Sequence, residues 1–257
     1  MAACVACKRP LVLELEPDEE EYVNIGGPSS GKAPATEPET VPDDLHLNCG
    51  CHFHWQCLLE AYQITECPNC GRNIATTSPT GQQQVLCNLH NEGGVQESLD
   101  ILPLLTEESY LKAYPEDRKC RAFLELCREG DVSSIVDMLL DDEDDEDDED
   151  TRKITNDELL RYQDPIGDMQ SGLHAAVQSG SREVAWLLLL VASNLDLSQF
   201  PAQVLQEAET FGIMRGDMEG KADIRSLRDG NGKSAEDLAR EVGGVWVGWE
   251  GTRRLTV

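Results

Sequence analysis

Apolar residues recur at helical spacing in the second half of the chain. After Gly130, and again after Gly180, aliphatic side chains follow at positions that place them on one face of a helix. They are Ile135, Met138 and Leu139 in the first case, and Val184, Leu188 and Leu189 in the second. The segment 202–211, which follows the helix breaker Pro201, predicts a further helix. These patterns predict a mostly helical C-terminal half.

The segment 79–105 has a different pattern. Residues 85–89 form a short apolar run typical of a strand, and residues 91–94 form a turn. From Thr106 the pattern becomes helical, and this threonine is the predicted N-cap because acidic residues follow it in the first turn. We therefore predict that 79–105 connects an N-terminal unit, 1–78, to a helical unit, 106–257.

Two segments lack apolar periodicity and carry much of the negative charge. Residues 141–150 contribute −10 and residues 11–45 contribute −9 to a net charge of −28. The stretch 17–44 has too little apolar content to offset the entropy cost of ordering, so we predict a disordered acidic insertion there. The acidic run 141–150 predicts a loop after a helix that ends near Leu140, because negative charge is unfavourable at a helix C-terminus.

The acidic balance and the cysteines limit the classes of partner and location. A strongly negative chain is unsuited to nucleic acid or an anionic membrane as its main partner. The longest apolar run, Val184–Ala192, is far shorter than the roughly 20 residues that span a bilayer, and the N-terminus has no signal-peptide core. We expect a cytoplasmic or nuclear protein, in which paired cysteines are metal ligands rather than disulfides.

Eight cysteine and histidine residues in the first 70 positions have spacings typical of metal ligands. Pairs separated by two residues can hold one metal ion from a single tight turn, and four ligands complete a tetrahedral zinc site. The pattern therefore predicts two zinc ions, bound by Cys4, Cys7, Cys49, Cys51, His54, Cys57, Cys67 and Cys70. His52 is an alternative to Cys51 as the fourth ligand in chain order.

This order of ligands resembles the RING finger, the zinc domain of many ubiquitin ligases. Residues 53–58 (FHWQCL) match the family's F-H-x-x-C-L segment, and residues 67–70 (CPNC) match its closing C-P-x-C. The resemblance covers 4–72 apart from the insertion. It implies a small α+β domain in which two zinc ions form a cross-brace. One ion would be bound by Cys4, Cys7, His54 and Cys57, and the other by Cys49, Cys51, Cys67 and Cys70.

The resemblance also implies ubiquitin ligase activity without a catalytic nucleophile, since a RING finger holds a charged conjugating enzyme close to the substrate. Three positions that the family uses for this contact are occupied here by Ala6, Ala61 and Gly71. Near-substitutes lie one residue away at Val5, Tyr62 and Arg72, and the family's proline is present as Pro68. The residues expected to contact the conjugating enzyme are Val5, Ala6, Trp55, Leu58, Tyr62, Pro68 and Arg72. The alternative for Trp55, Leu58 and Tyr62 is packing in the small core beneath the zinc sites.

The helical patterns of the C-terminal half resemble ankyrin repeats. Residues 171–176 (SGLHAA) correspond to the family's T-P-L-H-x-A core, in which the histidine binds the turn, and residues 229–239 resemble a final repeat. Successive patterns lie further apart than the usual repeat of about 33 residues, so irregular insertions are expected. The expected fold is a small zinc-stabilised α+β RING-like domain followed by an all-α ankyrin-repeat-like solenoid.

Two functions follow from these resemblances. The first is a RING-type ubiquitin ligase that binds a ubiquitin-conjugating enzyme through its zinc domain and a protein substrate through its ankyrin region. The alternative is a non-enzymatic zinc-binding adaptor or chaperone for a basic protein. The acidic run 141–150 is either a solvated insertion or a segment that attracts such a basic partner.

Overall fold

The computed structural model describes residues 3–15, 40–61, 63–140, 152–249 and 251–257. The chain divides into two compact units, Met1–Ser109 (unit 1) and Tyr110–Val257 (unit 2). The acidic run 141–150, Tyr62 and most of the predicted insertion 17–44 lie outside the described residues. Within the described ranges, no helix combines the length and apolar content that a bilayer-spanning segment requires.

Unit 1 is a cysteine-rich α+β unit. Its strands β1 (Val12–Glu14) and β2 (Thr40–Pro42) form an antiparallel ribbon. The helix α1 (Trp55–Ala61) directly follows strand β4 and contributes Leu58 to the core. An antiparallel five-stranded sheet consists of β3 (Asp44–Leu47), β4 (His52–Phe53), β5 (Ala75–Thr77), β6 (Gln83–Asn91) and β7 (Gly94–Asp100).

Strand β6 pairs with three other strands of this sheet. Its C-terminal half pairs with β3, its N-terminal residues pair with β5, and β7 returns along it as a hairpin. Val85, Cys87 and Leu89 are buried and alternate with more exposed residues, as expected for a strand with one face on the core. The predicted strand at 85–89 is confirmed, but the segment 79–105 builds the sheet instead of serving only as a connector.

Two boundaries differ from the sequence prediction. The helix α2 (Leu102–Ala113) begins before Thr106, whose Oγ1 donates to the carbonyl oxygen of Leu102 at 2.8 Å. The carboxylate of Asp100 accepts from the backbone N–H groups of Leu102 and Val85, at 3.1 and 2.9 Å, and so starts the helix at the end of β7. Residues 40–44, predicted to be disordered, contribute to β2 and β3 because pairing with other strands satisfies their backbone.

Unit 2 is mostly helical, as the apolar periodicity predicts. The segment 202–211, predicted as a helix, forms α8 (Ala202–Thr210). Short 3₁₀ turns lie at Leu197–Gln199, Ile224–Ser226 and Gly244–Trp246. Its longer helices are α3 (Asp117–Glu129), α4 (Val132–Leu140), α5 (Asn156–Arg161), α6 (Gly172–Ser179), α7 (Arg182–Ala192), α8 (Ala202–Thr210) and α9 (Ala235–Val242).

Helix α6 lies at the centre of unit 2, with contacts to α3, α7 and α9. A side-chain carbon added at Gly172 would lie 2.8 Å from Cε1 of Phe123, so only glycine allows α6 to approach α3 this closely. Gly130 and Gly180 have positive φ angles of 79° and 81°, which end α3 and α6 before the next helix begins. The result is two glycine-linked helix pairs, α3–α4 and α6–α7.

The buried His174 links α6 to the segment that precedes α9. Its Nε2 lies 3.1 Å from the carbonyl oxygen of Lys233, which can only accept, so Nε2 carries the proton. Its Nδ1 therefore accepts from the hydroxyl of Ser171 at 2.7 Å. Burial lowers the pKa of His174, which favours the neutral ring that these two hydrogen bonds require.

Candidate metal centres

Two of the cysteine pairs lie in turns with closely related backbone geometry. In the first turn, the N–H of Cys4 donates to the carbonyl of Arg9 at 2.9 Å, and Lys8 has a φ of 65°. In the second turn, the N–H of Cys67 donates to the carbonyl of Arg72 at 2.9 Å, and Gly71 has a φ of 66°. In each turn, backbone N–H groups of the turn also donate to its two cysteine sulfur atoms.

The other four ligands are positioned by strand β4 and its neighbours. Cys49 and Cys51 flank Gly50, whose φ of 87° allows the tight β3–β4 turn. His54 and Cys57 lie at the start of α1. The carboxylate of Asp43 accepts from the N–H of Trp55 at 3.0 Å and so fixes the beginning of that helix.

These turns bring the eight ligands together as two groups of four. Within each group, the ligand atoms lie within 4.8 Å of one another. The ligand pairs alternate along the chain, so that the first and third pairs share one group and the second and fourth share the other. The groups are Cys4, Cys7, His54 and Cys57 (group A), and Cys49, Cys51, Cys67 and Cys70 (group B).

The ring of His54 is oriented for metal binding. Its Nε2 lies 2.7 Å from the carbonyl oxygen of Pro10, which fixes the proton on that nitrogen. Its Nδ1, which then has a free lone pair, lies 3.3 Å from Sγ of Cys7 and 3.7 Å from Sγ of Cys57. The carbonyl of Pro10 is a positioning partner that the ligand spacing alone does not reveal.

These distances fit a tetrahedral zinc site. Bonds of about 2.3 Å to sulfur and 2.0 Å to nitrogen place sulfur and nitrogen roughly 3.5 Å apart across a tetrahedron. The two separations between the His54 nitrogen and sulfur, 3.3 and 3.7 Å, lie on either side of this value. Each group supplies four ligands, which leaves no coordination position for substrate, so a bound ion would have a structural role.

The thiols of each group differ in acidity. The backbone N–H of Arg9 lowers the pKa of Cys7 to about 6, and that of Arg72 lowers the pKa of Cys70 to about 7. Burial raises the pKa of Cys57 in group A and of Cys49 in group B to about 12. Each group thus contains at least one thiol that ionises near neutral pH and at least one that would lose its proton on metal binding.

The geometry selects Cys51 rather than His52 for group B. Cys51 is buried, and its Sγ accepts from the side-chain amide of Asn69 at 3.4 Å. His52 is its neighbour in the chain, and its Nδ1 lies 2.7 Å from the carboxylate of Asp44. The His52 ring also stacks on His46, with 4.2 Å between the ring centroids. These contacts explain why His52 is absent from the ligand groups.

The residues expected to contact a conjugating enzyme differ in exposure. Ala6 and Arg72 are exposed, and Nη1 of Arg72 donates to the carbonyl of Cys49 at 3.5 Å. Leu58 is only 1% exposed and packs in the core of unit 1. Ile64, which the family pattern does not single out, is 40% exposed and adds apolar surface. The half-buried members of the set are Val5, Trp55 and Pro68, and Tyr62 lies outside the described residues.

Comparison with known proteins does not assign this chain to a family. No family model, no curated protein and no solved structure matches it. The structure itself establishes a cysteine-rich α+β unit with two Cys/His groups, each able to hold a metal ion, and a second unit that is mostly helical.

Proposed function

We propose that the protein is a RING-type ubiquitin ligase stabilised by two zinc ions. In this proposal, unit 1 binds a charged ubiquitin-conjugating enzyme and unit 2 binds the protein substrate. The observation that carries the proposal is the alternation of ligand pairs between groups A and B. This is the cross-brace order to which the F-H-x-x-C-L and C-P-x-C segments also point.

The proposed mechanism is positional. Both groups are closed sets of four ligands. The zinc ions would therefore hold in place the Cys4–Cys7 turn, the Cys67–Cys70 turn and the start of α1. Each of these three elements presents an apolar side chain with some exposure: Ala6, Pro68 and Trp55. They would bind the conjugating enzyme, and its thioester-linked ubiquitin would be held close to a substrate lysine, an effect of proximity and orientation.

The helical unit supports the substrate-binding part of the proposal. The glycine-linked pairs α3–α4 and α6–α7, and the packing of α6 between α3 and α9, agree with an ankyrin-like arrangement. The hydrogen bonds of His174 to Ser171 and Lys233 agree with the role of histidine in the ankyrin motif. Ankyrin stacks commonly bind other proteins.

The test is the transfer of ubiquitin from a panel of charged conjugating enzymes to free lysine, with the full-length protein. We expect faster discharge that is lost in Ala6→Asp, which places a charge on the exposed first turn. Glu60→Ala, at an exposed position of α1, is the matched control and should retain the activity. Zinc content, measured on every sample, should be unchanged in both variants.

A non-enzymatic adaptor for a basic protein is the second candidate. It is favoured by the ten consecutive acidic residues of 141–150 and by the replacement of family contact positions with Ala61 and Gly71. The same assay separates the two candidates. No discharge with any conjugating enzyme, from protein that retains two zinc ions, would contradict the ligase and support the adaptor.

A further inference from the structure

Unit 2 contains an apolar groove between α4, α7 and α8, which we call the α4/α7/α8 groove. Its volume is about 590 Å³, within the range of roughly 300–1,000 Å³ typical of ligand sites. None of its lining residues comes from α3, α6 or α9. The groove is therefore separate from the contacts by which α6 packs between α3 and α9. Apolar residues that line it include Val132, Val136, Trp186, Leu190, Val204 and Phe211.

The groove combines a buried floor with an exposed apolar edge. Trp186 and Leu190 are 6% and 4% exposed and belong to the core of unit 2, so the floor is held in place by packing. Phe211, directly after α8, is 46% exposed although it lines the groove. A partner that covers a half-exposed aromatic side chain at the edge of a pocket binds more tightly, because apolar surface is removed from water.

The polar residues of the groove all lie at its exposed rim. Arg182 places its guanidinium 5.5 Å from the centre of the Trp249 ring. Glu183 and Glu207 are exposed, and neither carboxylate forms a salt bridge within the part of the chain that the structure describes. The Glu207 carboxylate accepts one hydrogen bond, from the side-chain amide of Gln203 at 2.8 Å. The groove is therefore apolar in the centre, with two carboxylates and one guanidinium at the rim.

The charge around the groove favours a basic occupant. The rim carboxylates of Glu183 and Glu207 can each pair with a lysine or arginine of a partner. In the sequence, the ten acidic residues of 141–150 come directly after α4, the helix that supplies Val132 and Val136. A run of ten negative charges at this point of the chain would attract a positively charged partner and repel an acidic one.

We propose that the α4/α7/α8 groove binds a basic amphipathic helix of a partner protein. An amphipathic helix places apolar side chains in a groove at positions i, i+3 or i+4, and i+7, and leaves basic side chains free for the rim. The described part of unit 2 contains no strand that could pair with an extended peptide. The inference rests on the proposed function, since it names the surface by which unit 2 recognises its substrate.

The experiment measures binding of a fluorescent helical peptide of about four turns to the full-length protein by anisotropy. The probe carries leucine along one face and lysine on both flanks. One matched peptide has glutamate in place of every lysine, and the other has glutamine in place of every leucine. We expect both matched peptides to bind at least about tenfold more weakly than the probe, and probe affinity to fall as salt increases.

Variants of the groove provide the second half of the test. Glu183→Lys combined with Glu207→Lys should weaken binding of the probe about fivefold, because two rim pairs are lost. Glu209→Lys combined with Glu219→Lys is the matched control, since it reverses two exposed acids of unit 2 that do not line the groove. Phe211→Ser should weaken binding by a similar factor, whereas Met214→Ser, at a position 82% exposed and outside the groove, should not.

Several results would overturn the inference. These are no binding of the lysine probe, equal binding of the glutamate peptide, or the same affinity for the groove variants and their controls. The assay contains no ubiquitin and no conjugating enzyme, so its outcome is independent of ligase activity. Ubiquitin discharge without probe binding would reject the groove alone, and probe binding without discharge would reject the ligase alone.

Discussion

Single residues explain both what the sequence predicts of the metal centres and what it misses. The eight ligands can be read from spacing, because a chain turn can hold two ligand atoms close together only at short separations. The partners that orient them cannot be read in this way. The carbonyl of Pro10 fixes the ring of His54, and Asn69 donates to Cys51, through contacts that exist only after the turns have folded. The choice between Cys51 and His52 also depends on such contacts. The two residues are adjacent, so the ligand spacing in the sequence fits either of them.

Metal affinity should depend on pH through the buried thiols. Cys57 and Cys49 have a pKa of about 12 in the metal-free groups, so each releases a proton on binding. We expect zinc affinity to fall by about tenfold per pH unit for each proton released as the pH is lowered from 8. The fall in zinc affinity should become steeper below pH 7, where Cys70 becomes protonated, and again below pH 6, where Cys7 does. Chelator competition across this range measures it, and pH-independent affinity would contradict the account.

His174 should make the stability of unit 2 dependent on pH. Its pKa is lowered in the folded state from an ordinary value of 6.5, so the unfolded chain takes up a proton first as the pH falls. The stabilisation is therefore present above about pH 6.5 and is lost as the pH falls through the folded pKa. His174→Gln should cost roughly 1–3 kcal/mol at pH 7.5 and less at pH 5.

Urea unfolding of the wild-type protein and of His174→Gln at pH 7.5 and pH 5 measures how the cost of the substitution depends on pH. Trp246→Phe is a suitable control, because it removes the hydrogen bond from Trp246 Nε1 to the carbonyl of Val177 without removing a titratable group. Its cost should be the same at both pH values. An equal cost of His174→Gln at pH 7.5 and pH 5 would mean that the histidine does not titrate with folding.

At the scale of elements, the local apolar pattern predicts those helices whose buried face is the one that the pattern indicates. Helix α8 begins at Ala202, after Pro201, as the sequence predicts, and the glycine-linked helices follow their apolar spacing. The hairpin β6–β7 is different, because its place in the sheet depends on pairing with β3 and β5, which lie earlier in the chain. The start of α2 is also not predictable from the local sequence, because the Asp100 carboxylate that fixes it accepts from Leu102 of the helix and from Val85 of β6.

The close approach of α3 and α6 should be sensitive to a single methyl group. Gly172→Ala would place a carbon 2.8 Å from Cε1 of Phe123 and 3.2 Å from Sγ of Cys127. We expect a loss of about 1–3 kcal/mol in the free energy of unfolding, because overlap outweighs the helix propensity gained. Phe123→Leu should recover part of this loss in the double variant, measured by urea unfolding. A more stable Gly172→Ala protein would contradict the packing.

At the scale of the whole molecule, the two units rest on different sources of stability. Unit 2 has an extensive apolar core that includes Trp186, Trp246 and Trp249. Unit 1 has a smaller core that includes the candidate ligands Cys4, Cys51 and Cys67, so a metal ion bound by them would contribute directly to its folding. The ligand spacing predicts this dependence, whereas the sheet that surrounds the metal groups depends on long-range pairing.

Removal of metal should therefore affect the units unequally. Since structural zinc contributes on the order of 10–16 kcal/mol of apparent binding free energy, chelation should expose the amides of β3, β4 and α1 to hydrogen exchange. The buried amides of α6 and α7 should keep their protection, because neither ligand group includes a residue of the described part of unit 2. Exchange measured before and after chelation tests this, and unchanged protection in unit 1 would show that metal does not hold its fold.

The central claim is that ligand pairs alternate between two metal ions, and cadmium-substituted protein tests it most directly by NMR. Scalar coupling between cadmium and the β-protons of each cysteine assigns every thiolate to an ion. We predict that Cys4, Cys7 and Cys57 couple to one cadmium, and that Cys49, Cys51, Cys67 and Cys70 couple to the other. Coupling of Cys4 and Cys7 to the same ion as Cys49 and Cys51 would contradict the cross-brace and remove the main support for a RING-type ligase.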